Sequence, residues 1–255
     1  MVHIVGAGSG APDLITLRGA ELLRKAQVVI YAGSLVNPAL LGLCGPDCRL
    51  YNSAHMTLEE VLEVIRQATE QKQDVVRLHT GDPCLFGAIR EQTDALDAMG
   101  IEWDVTPGVS SFCGAAAALG AEYTLPGVSQ SLIITRLAGR TPVPEREALQ
   151  KLAAHGASMA IFLSSGMLPG VQQALLAGGA YTADTPAALV YKATWPEEKI
   201  VHCRLGELAQ AGSRAGISRT ALVLAGDFLA GTGYEKSCLY SPSFTTGYRQ
   251  ASQEA

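Results

Sequence analysis

The chain has 255 residues, 48% of them hydrophobic and 17% charged, which is enough to build a core in one large or two compact domains. A net charge of −5 argues against a nucleic-acid-binding surface but not against an anionic small molecule held by a few arginines. No apolar run reaches the roughly 18 residues of a membrane helix and no secretion signal is evident, so we expect a soluble, cytoplasmic protein.

The first half of the chain alternates short aliphatic runs with helical patterns. Strands are predicted at residues 2–5, 28–31, 74–78 and 101–105, and helices at 16–26, 38–43, 57–71, 88–99 and 111–119. This alternation is typical of a doubly wound, mostly parallel sheet with helices on both faces. Thr57 and Glu60 have the spacing of a capping box at the third helix. Cys44 and Cys48 are the only closely spaced cysteines, and a surface turn is favoured there over a metal site, so no metal is predicted.

The second half has less helix between its strands. Residues 123–130 lack periodicity and indicate a linker, so we expect domains at 1–122 and 123–255. Strands are predicted at 131–135, 158–163, 187–191, 199–203 and 221–224, and helices at 145–154, 168–176 and 205–211. Consecutive strands favour a mixed, partly antiparallel sheet. The polar tail after residue 231 carries several aromatic residues and is expected to dock on the body of the protein before fraying.

A Gly/Pro-punctuated loop follows the strand at 74–78. Gly81 and Gly87 permit positive φ and close backbone approach, Pro83 fixes one φ, and Asp82 can brace the turn. Open α/β sheets bind ligands at the carboxyl ends of their strands. The sequence therefore predicts a stiff loop that presents main-chain groups to a ligand, with an ordinary strand-to-helix turn as the alternative.

Two further loops follow the predicted strands at 2–5 and 101–105. Residues 6–11 satisfy the dinucleotide pattern G-x-G-x-x-G/A. However, Pro12 and Asp13 delay the helix and no carboxylate follows the second strand to hold a ribose, which disfavours a nicotinamide cofactor. Residues 106–111 lead into an alanine-rich helix whose first amides, with Ser110 and Ser111, can bind a polar group. Three such loops at one sheet edge favour a shared ligand cleft; the rival is a dinucleotide-binding sensor or structural module.

These segments resemble the tetrapyrrole (corrin/porphyrin) methyltransferases. The family's opening motif matches residues 5–16, its G-D-P-x-x-x-G loop matches 81–87, and its P-G-V-[ST]-S segment matches 107–111. Ser9 stands where the family usually has proline, which is expected to loosen the first loop. Segments 31–35, 131–136, 139–144, 162–165 and 191–196 resemble the branch that methylates carbon 11 of precorrin-4 or cobalt-precorrin-4 in cobalamin synthesis.

The resemblance covers roughly residues 2–250. It implies two α/β domains, S-adenosylmethionine bound in the cleft between them, and a homodimer. A family neighbour that methylates another tetrapyrrole carbon, or a substrate such as a modified protein histidine, stays open as an alternative. Methyl transfer from a sulfonium to an electron-rich carbon needs alignment and little else, which agrees with the lack of an evident nucleophile set in the sequence.

The resemblance also assigns the site residues. The cofactor is expected to contact Gly81, Asp82, Pro83, Leu85, Phe86, Ser110, Ser111, Leu132, Leu163, Ala193 and Ala221. The carboxylates of the tetrapyrrole call for cations, for which Arg136, Arg140, Lys192 and Arg219 are the candidates, each alternatively a solvated surface charge. Asp82 and His55 are the candidates for accepting the proton lost after methylation or for holding a pyrrole nitrogen. For Asp82 we favour a positioning role.

Overall fold

The computed structural model describes residues 1–252, which form two compact units. The first unit comprises Met1–Ala118 together with Lys192–Glu198, and the second comprises Leu119–Tyr191 and the chain from Lys199 onward. Segment Lys192–Glu198 connects two strands of the second unit but belongs to the first by its contacts. The sequence pattern gives no sign of this return.

The first unit is built on a five-stranded parallel sheet, which confirms the predicted doubly wound pattern. The strands are β1 (Val2–Gly6), β2 (Val28–Tyr31), β3 (Arg49–Asn52), β4 (Val75–His79) and β5 (Trp103–Thr106). Their spatial order is β3-β2-β4-β1-β5, so β1 lies between β4 and β5. The helices are α1 (Leu17–Lys25), α2 (Leu58–Glu70), α3 (Ile89–Ala98) and α4 (Ser111–Leu119).

The central strands β2, β4 and β1 are buried on both faces, as their aliphatic residues require, whereas Leu50 in β3 and Val105 in β5 are exposed. On one face Val5, Val76 and Leu78 pack with Leu23 of α1. The opposite face packs against α2 and α3. The buried strand residues of this cluster are Val2, Val28, Ile30 and Val75, and its buried helix residues are Val61, Ile65, Ala68 and Leu96. The predicted capping box is present, since Thr57 and Glu60 exchange side-chain to backbone hydrogen bonds. The helix predicted at 38–43 is a 3-10 helix, Pro38–Leu43, which Asn37 caps.

The second unit contains the predicted mixed sheet. The strands are β6 (Leu132–Arg136), β7 (Ser158–Phe162), β8 (Pro186–Tyr191), β9 (Lys199–Arg204) and β10 (Ala221–Ala225). Their spatial order is β6-β7-β10-β8-β9. In this sheet β6 and β7 are parallel and the other neighbours are antiparallel. The helices are α5 (Leu149–Ala153), α6 (Leu168–Ala177) and α7 (Leu208–Arg214).

The helix predicted at 145–154 is interrupted. Ala148 has extended backbone angles, φ −54° and ψ 134°, and separates a 3-10 turn, Glu145–Glu147, from α5. Pro144 starts this turn with a fixed φ, and no side chain caps α5. The helical pattern therefore predicted α5 but missed the break.

The tail lies mainly exposed. The Glu235 amide donates to the Pro126 carbonyl at 2.8 Å, whereas the later tail bonds largely to itself through the Arg249 guanidinium, which donates to the carbonyls of Leu239 and Ser241. The Tyr248 side chain is fully exposed. Within residues 1–252, no helix is long and apolar enough to cross a bilayer.

Candidate functional site

Three loops meet through their main chains at the carboxyl edge of the first unit's sheet. They follow the adjacent strands β4, β1 and β5. The backbones of Gly8 and Gly81 exchange hydrogen bonds of 3.2 and 3.0 Å. A Cβ on Gly6 would lie 2.6 Å from the Gly108 Cα and from the Gly81 oxygen, and a Cβ on Gly108 would lie 2.1 Å from that same oxygen. Only glycine at positions 6 and 108 lets the three loops approach this closely.

Asp82 fastens two of these loops together. Its Oδ1 accepts a hydrogen bond from the Cys84 amide at 2.8 Å, and its Oδ2 accepts one from the Gly108 amide at 2.9 Å. Partial burial alone would raise the pKa of Asp82, but the hydrogen bonds from Cys84 and Gly108 outweigh it and hold the pKa below its ordinary value. Both carboxylate oxygens are therefore engaged in positioning the loop.

The same loop has an unusual backbone on its far side. Phe86 and Ala88 adopt left-handed φ values of 56° and 49°. Gly87, between them, is needed for space, because a Cβ there would lie 2.2 Å from the Pro83 oxygen. Phe86 is 46% exposed, while Leu85 is half-buried. Exposed apolar surface on a strained backbone is a common feature of ligand sites.

A buried polar group beneath this loop was missed by the sequence analysis. Arg77, in the middle of β4, is 8% exposed; its Nε donates to the Gln92 Oε1 at 3.0 Å and its Nη1 to the Ile30 carbonyl at 3.1 Å. Burial lowers the pKa of Arg77 to about 10. Gln92 donates in turn to the carbonyl of left-handed Ala88 at 3.0 Å. The available signal was a charged residue inside an otherwise apolar strand.

His79, at the end of the same strand, is 4% exposed, and its Nε2 has no hydrogen-bond partner in the described part of the chain. Burial, with a further contribution from the positive charge of Arg77, lowers the pKa of His79 to about 3. The imidazole is therefore neutral at physiological pH. Its main-chain oxygen accepts the Ala7 amide at 2.7 Å and so joins β4 to the first loop.

The loop after β5 brings Ser110 and Ser111 to the same edge. Ser110 is buried, and its carbonyl accepts the amides of Cys113 and Gly114 at the start of α4. A Cβ on Gly81 would lie 3.5 Å from the Ser110 Cα, so these two predicted cofactor residues face each other. The structure thus brings together the predicted residues of the loops after β4 and β5.

Ser9, which was expected to loosen the first loop, has a side-chain contact with Thr194. Ser9 is buried, and its hydroxyl shares a hydrogen bond of 3.1 Å with the Thr194 hydroxyl. Ala193 is also buried in this unit, and its carbonyl oxygen is 2.9 Å from where a Gly10 Cβ would lie. At the position where the family usually has proline, this serine therefore makes a tertiary hydrogen bond.

In the second unit, the predicted residues divide between two ends of the sheet. Arg136 pairs with Phe162 at the end of β6, and the next residue, Leu163, is left-handed and 65% exposed. The antiparallel register of β7 and β10 places Ala221 at this same end. Leu132 pairs with Ser158 at the opposite end. The structure therefore does not bring Leu132 together with Leu163 and Ala221.

The four predicted substrate cations differ in how far they are engaged. The Arg136 guanidinium donates to the Thr141 and Pro142 carbonyls at 3.1 and 2.6 Å. Lys192 lies 3.5 Å from a Glu197 carboxylate oxygen and 5.0 Å from the centroid of a tryptophan ring. The two cations that are exposed, with no hydrogen bond or ion pair to residues 1–252, are Arg140 and Arg219.

His55 is not brought to Asp82. It is exposed in a 3-10 helix after β3, and β2 lies between β3 and β4. The two candidates for a proton acceptor are thus at different positions along the sheet edge. Among the described residues, no group of three or more His, Cys, Asp or Glu side chains is arranged to hold a metal ion.

The profile of the Tetrapyrrole (Corrin/Porphyrin) Methylases matches residues 1–209. The chain belongs to this family. It is 48% identical over 250 residues to the cobalt-precorrin-4 C(11)-methyltransferase of Methanocaldococcus jannaschii, covering 98% of this chain and 96% of that relative. The family assignment made from the three loop motifs is thereby confirmed.

Solved structures of the family have the same fold. A cobalt precorrin-4 methyltransferase is 44% identical and matches with a TM-score of 0.87, covering 89% of this chain and 95% of that one. The uroporphyrin-III C-methyltransferase of Thermus thermophilus, solved with S-adenosyl homocysteine, is 27% identical with a TM-score of 0.75, covering 92% and 96%. The predicted pair of α/β units is confirmed.

Proposed function

We propose that this protein is an S-adenosylmethionine-dependent methyltransferase that methylates carbon 11 of precorrin-4 or cobalt-precorrin-4, giving the corresponding precorrin-5 in cobalamin biosynthesis. The single observation that carries the proposal is the close packing of Gly6, Gly81 and Gly108, which joins three loops, in a chain 48% identical to a cobalt-precorrin-4 C(11)-methyltransferase. A site lined by main chain aligns reactants without needing a nucleophile of its own.

The residues of the first unit fit the cofactor. Bound S-adenosylmethionine supplies a methyl group on a sulfonium, whose departure as a neutral thioether requires little beyond in-line alignment. The loop from Gly81 to Phe86, together with Ser110 and Ser111, offers main-chain groups and an exposed aromatic ring for a nucleoside. The other proposed cofactor contacts are Ala193, Leu163, Ala221 and Leu132. The proposal is weakest for Leu132, because it lies at the end of its sheet opposite to Leu163 and Ala221.

For the tetrapyrrole, Arg140 and Arg219 are the best-suited partners because both guanidinium groups are exposed and unengaged by residues 1–252. A guanidinium can bind a carboxylate through two parallel hydrogen bonds. Arg136 and Lys192 would first have to leave protein partners. Asp82 is a poor proton acceptor, since both oxygens are occupied and its pKa is lowered. We propose no catalytic base.

We also propose that the protein is a homodimer and that it is located in the cytoplasm. Sedimentation at several protein concentrations would test the homodimer.

The cofactor is tested first, by calorimetric titration of the protein with S-adenosylhomocysteine and with NAD. Binding of S-adenosylhomocysteine without NAD binding is expected. NAD binding at micromolar strength with no response to S-adenosylhomocysteine would overturn the proposal in favour of a dinucleotide-binding module.

The substrate is tested by incubating the protein with methyl-labelled S-adenosylmethionine and a panel of precorrins with and without cobalt. Mass spectrometry and carbon NMR then locate the label, which is expected at carbon 11. Label at another ring carbon would identify a family neighbour. In a parallel incubation with added protein in place of the precorrins, label on a modified histidine would identify a protein substrate. The cobalt-containing and cobalt-free arms decide the physiological form.

A further inference from the structure

The segment Lys192–Glu198 is fastened to the loop after β1 by the side chain of Thr194. The Thr194 Oγ1 accepts a hydrogen bond from the Ala11 amide at 3.0 Å and shares another with the Ser9 hydroxyl at 3.1 Å. The Thr194 amide donates to a Glu198 carboxylate oxygen at 2.6 Å. A single threonine therefore joins both ends of the Ser9–Ala11 stretch to a segment 183 residues further along the chain.

The middle residue of this stretch, Gly10, is held by Trp195 and Asn37. A Cβ on Gly10 would lie 2.1 Å from the Trp195 Cδ1, so the indole ring packs directly on the Gly10 backbone. The Asn37 Nδ2 donates to the Gly10 carbonyl at 2.8 Å. The ammonium group of Lys192 lies 5.0 Å from the centroid of the Trp195 ring and adds a cation–π contact. The stretch is thus fixed along its whole length.

This arrangement has a conformational cost. Thr194 adopts φ +68° and Lys192 adopts φ +47°, in the left-handed region. A β-branched residue is rarely found there, because its Cβ substituents crowd the backbone. Such strain persists only where surrounding contacts hold the residue in place, and it is concentrated at functional sites. The contacts of Thr194 with Ser9, Ala11 and Glu198 are the ones that hold it.

The fixed stretch leaves two donors available. The amides of Ala7, Gly8 and Ala11 are all bonded within the protein. Those of Ser9 and Gly10 donate to no acceptor in the portion of the chain that the structure describes. Two successive amides on a stiff loop can bind an acceptor group, provided that their directions are fixed in advance.

We propose that Thr194 is a positioning residue of this enzyme. Its hydroxyl fixes the Ser9–Ala11 backbone, and with it the directions of the Ser9 and Gly10 amides, before the substrate of methyl transfer binds. This inference rests on the proposed function. It predicts an effect on the tetrapyrrole reaction and not on the affinity for S-adenosylhomocysteine. The reason is that the Gly8–Gly81 hydrogen bonds, which join the first loop to the proposed cofactor loop, do not involve Thr194.

The test compares Thr194→Val, which keeps the side-chain shape and removes the hydroxyl, with Thr194→Ser, which keeps the hydroxyl. Thr69→Val is the matched control, because Thr69 is a half-buried residue of α2 whose hydroxyl bonds only to backbone carbonyls of its own helix. Hydrogen–deuterium exchange of the peptide spanning residues 6–16, S-adenosylhomocysteine binding, and kcat and KM with precorrin-4 and cobalt-precorrin-4 are measured for each variant.

Thr194→Val should increase exchange in this peptide and lower kcat/KM roughly tenfold to a hundredfold, since two hydrogen bonds of ordinary strength are lost. Its S-adenosylhomocysteine affinity should stay within about twofold of the parent, and Thr194→Ser and Thr69→Val should match the parent in kcat/KM. Unchanged exchange, unchanged kcat/KM despite faster exchange, or an equal loss of S-adenosylhomocysteine binding would each overturn the inference. A parent protein inactive on every tetrapyrrole would instead overturn the proposed function, while the exchange result would still report on the Thr194 contact.

Discussion

Asp82 and Gly108 are joined by a hydrogen bond of 2.9 Å between a carboxylate oxygen and a main-chain amide, across two loops that are 26 residues apart in sequence. The second oxygen of the same carboxylate holds the Cys84 amide within its own loop. One side chain therefore sets both the internal shape of the loop after β4 and its distance from the loop after β5. The predicted cofactor residues depend on this distance.

Replacing Asp82 is expected to weaken cofactor binding without unfolding the protein. Asp82→Ala removes both hydrogen bonds, and Asp82→Asn leaves one good acceptor, so the loss of S-adenosylhomocysteine affinity should be larger for alanine, about tenfold or more. Calorimetric titration of both variants with S-adenosylhomocysteine measures these affinities, and equal affinities for the parent and the alanine variant would contradict the prediction.

The lowered pKa of Asp82 also makes the stability of the folded protein depend on pH. The ionised carboxylate stabilises the folded protein above the ordinary carboxylate pKa, and this stabilisation is lost as pH falls through the lowered value.

Gly81 and Gly87 should respond differently to substitution. Gly81 has φ +61° and room for a Cβ, whereas Gly87 lacks a positive φ but has the Pro83 oxygen 2.2 Å from the Cβ position. Gly81→Ala should cost about 1–2 kcal/mol of backbone strain, and Gly81→Val should abolish cofactor binding in a folded protein. Gly87→Ala must displace the Pro83 backbone and should disrupt the loop more than Gly81→Ala does. Thermal unfolding and S-adenosylhomocysteine titration give the order, and a Gly87→Ala variant that binds like the parent would refute this assignment.

The fold was largely predictable because buried parallel strands leave a local signal, namely short aliphatic runs between helical patterns. The capping box at Thr57 is likewise a local feature. In contrast, the return of Lys192–Glu198 to the first unit depends on Thr194 and Trp195 meeting residues near position 10, which no local pattern encodes. Long-range contacts of this kind explain most of what the sequence missed.

The site was predictable in part for the same reason. Glycine, proline and aspartate in the loop after β4 carry their role in their residue types, and the structure brings them to the expected edge. The role of an arginine or lysine is not evident from its residue type, because a motif cannot show whether a guanidinium is free. Arg136 bonds to the carbonyls of its own turn, whereas Arg140, four residues later, is unengaged within residues 1–252.

This difference makes Arg140 the sharper test of substrate binding. A charge-assisted hydrogen bond contributes about 1.5–3 kcal/mol, so Arg140→Ala should weaken tetrapyrrole binding roughly tenfold to a hundredfold and leave S-adenosylhomocysteine binding unchanged. Arg136→Ala should act through the turn at 137–142 and increase its hydrogen–deuterium exchange, and Arg136→Lys should not restore it because an ammonium lacks the planar fork. If Arg140→Ala lowered the affinity for both ligands equally, Arg140 would support the fold and not the substrate.

Gln92 offers a matched pair of variants beneath the loop. Gln92→Leu leaves the buried Arg77 Nε without its acceptor and removes the donor to the Ala88 carbonyl, so it should destabilise the protein by about 1–3 kcal/mol. Gln92→Glu supplies a carboxylate to the buried guanidinium and should be much better tolerated. Urea unfolding measures both, and the exchange of residues 82–89 should rise in the leucine variant. Equal stability of the two variants would show that the Arg77 contact is unimportant.

His79 should make the protein sensitive to acid. Its pKa is lowered from 6.5 to about 3 by burial and by the positive charge of Arg77, so the unfolded chain binds the proton more readily than the folded one between these two values. The stabilisation is therefore fully present above pH 6.5 and is lost as pH falls toward 3, with a slope of at most about 1.4 kcal/mol per pH unit. His79→Phe keeps a ring in the buried site and removes the titrating group, so its stability should fall less steeply over this range. Urea unfolding of the parent, of His79→Phe and of His155→Gln as an exposed control provides the measurement. The free energies of unfolding of the parent and the phenylalanine variant should converge or cross as pH decreases, and curves that run parallel from pH 6.5 downward would show that His79 does not govern acid stability.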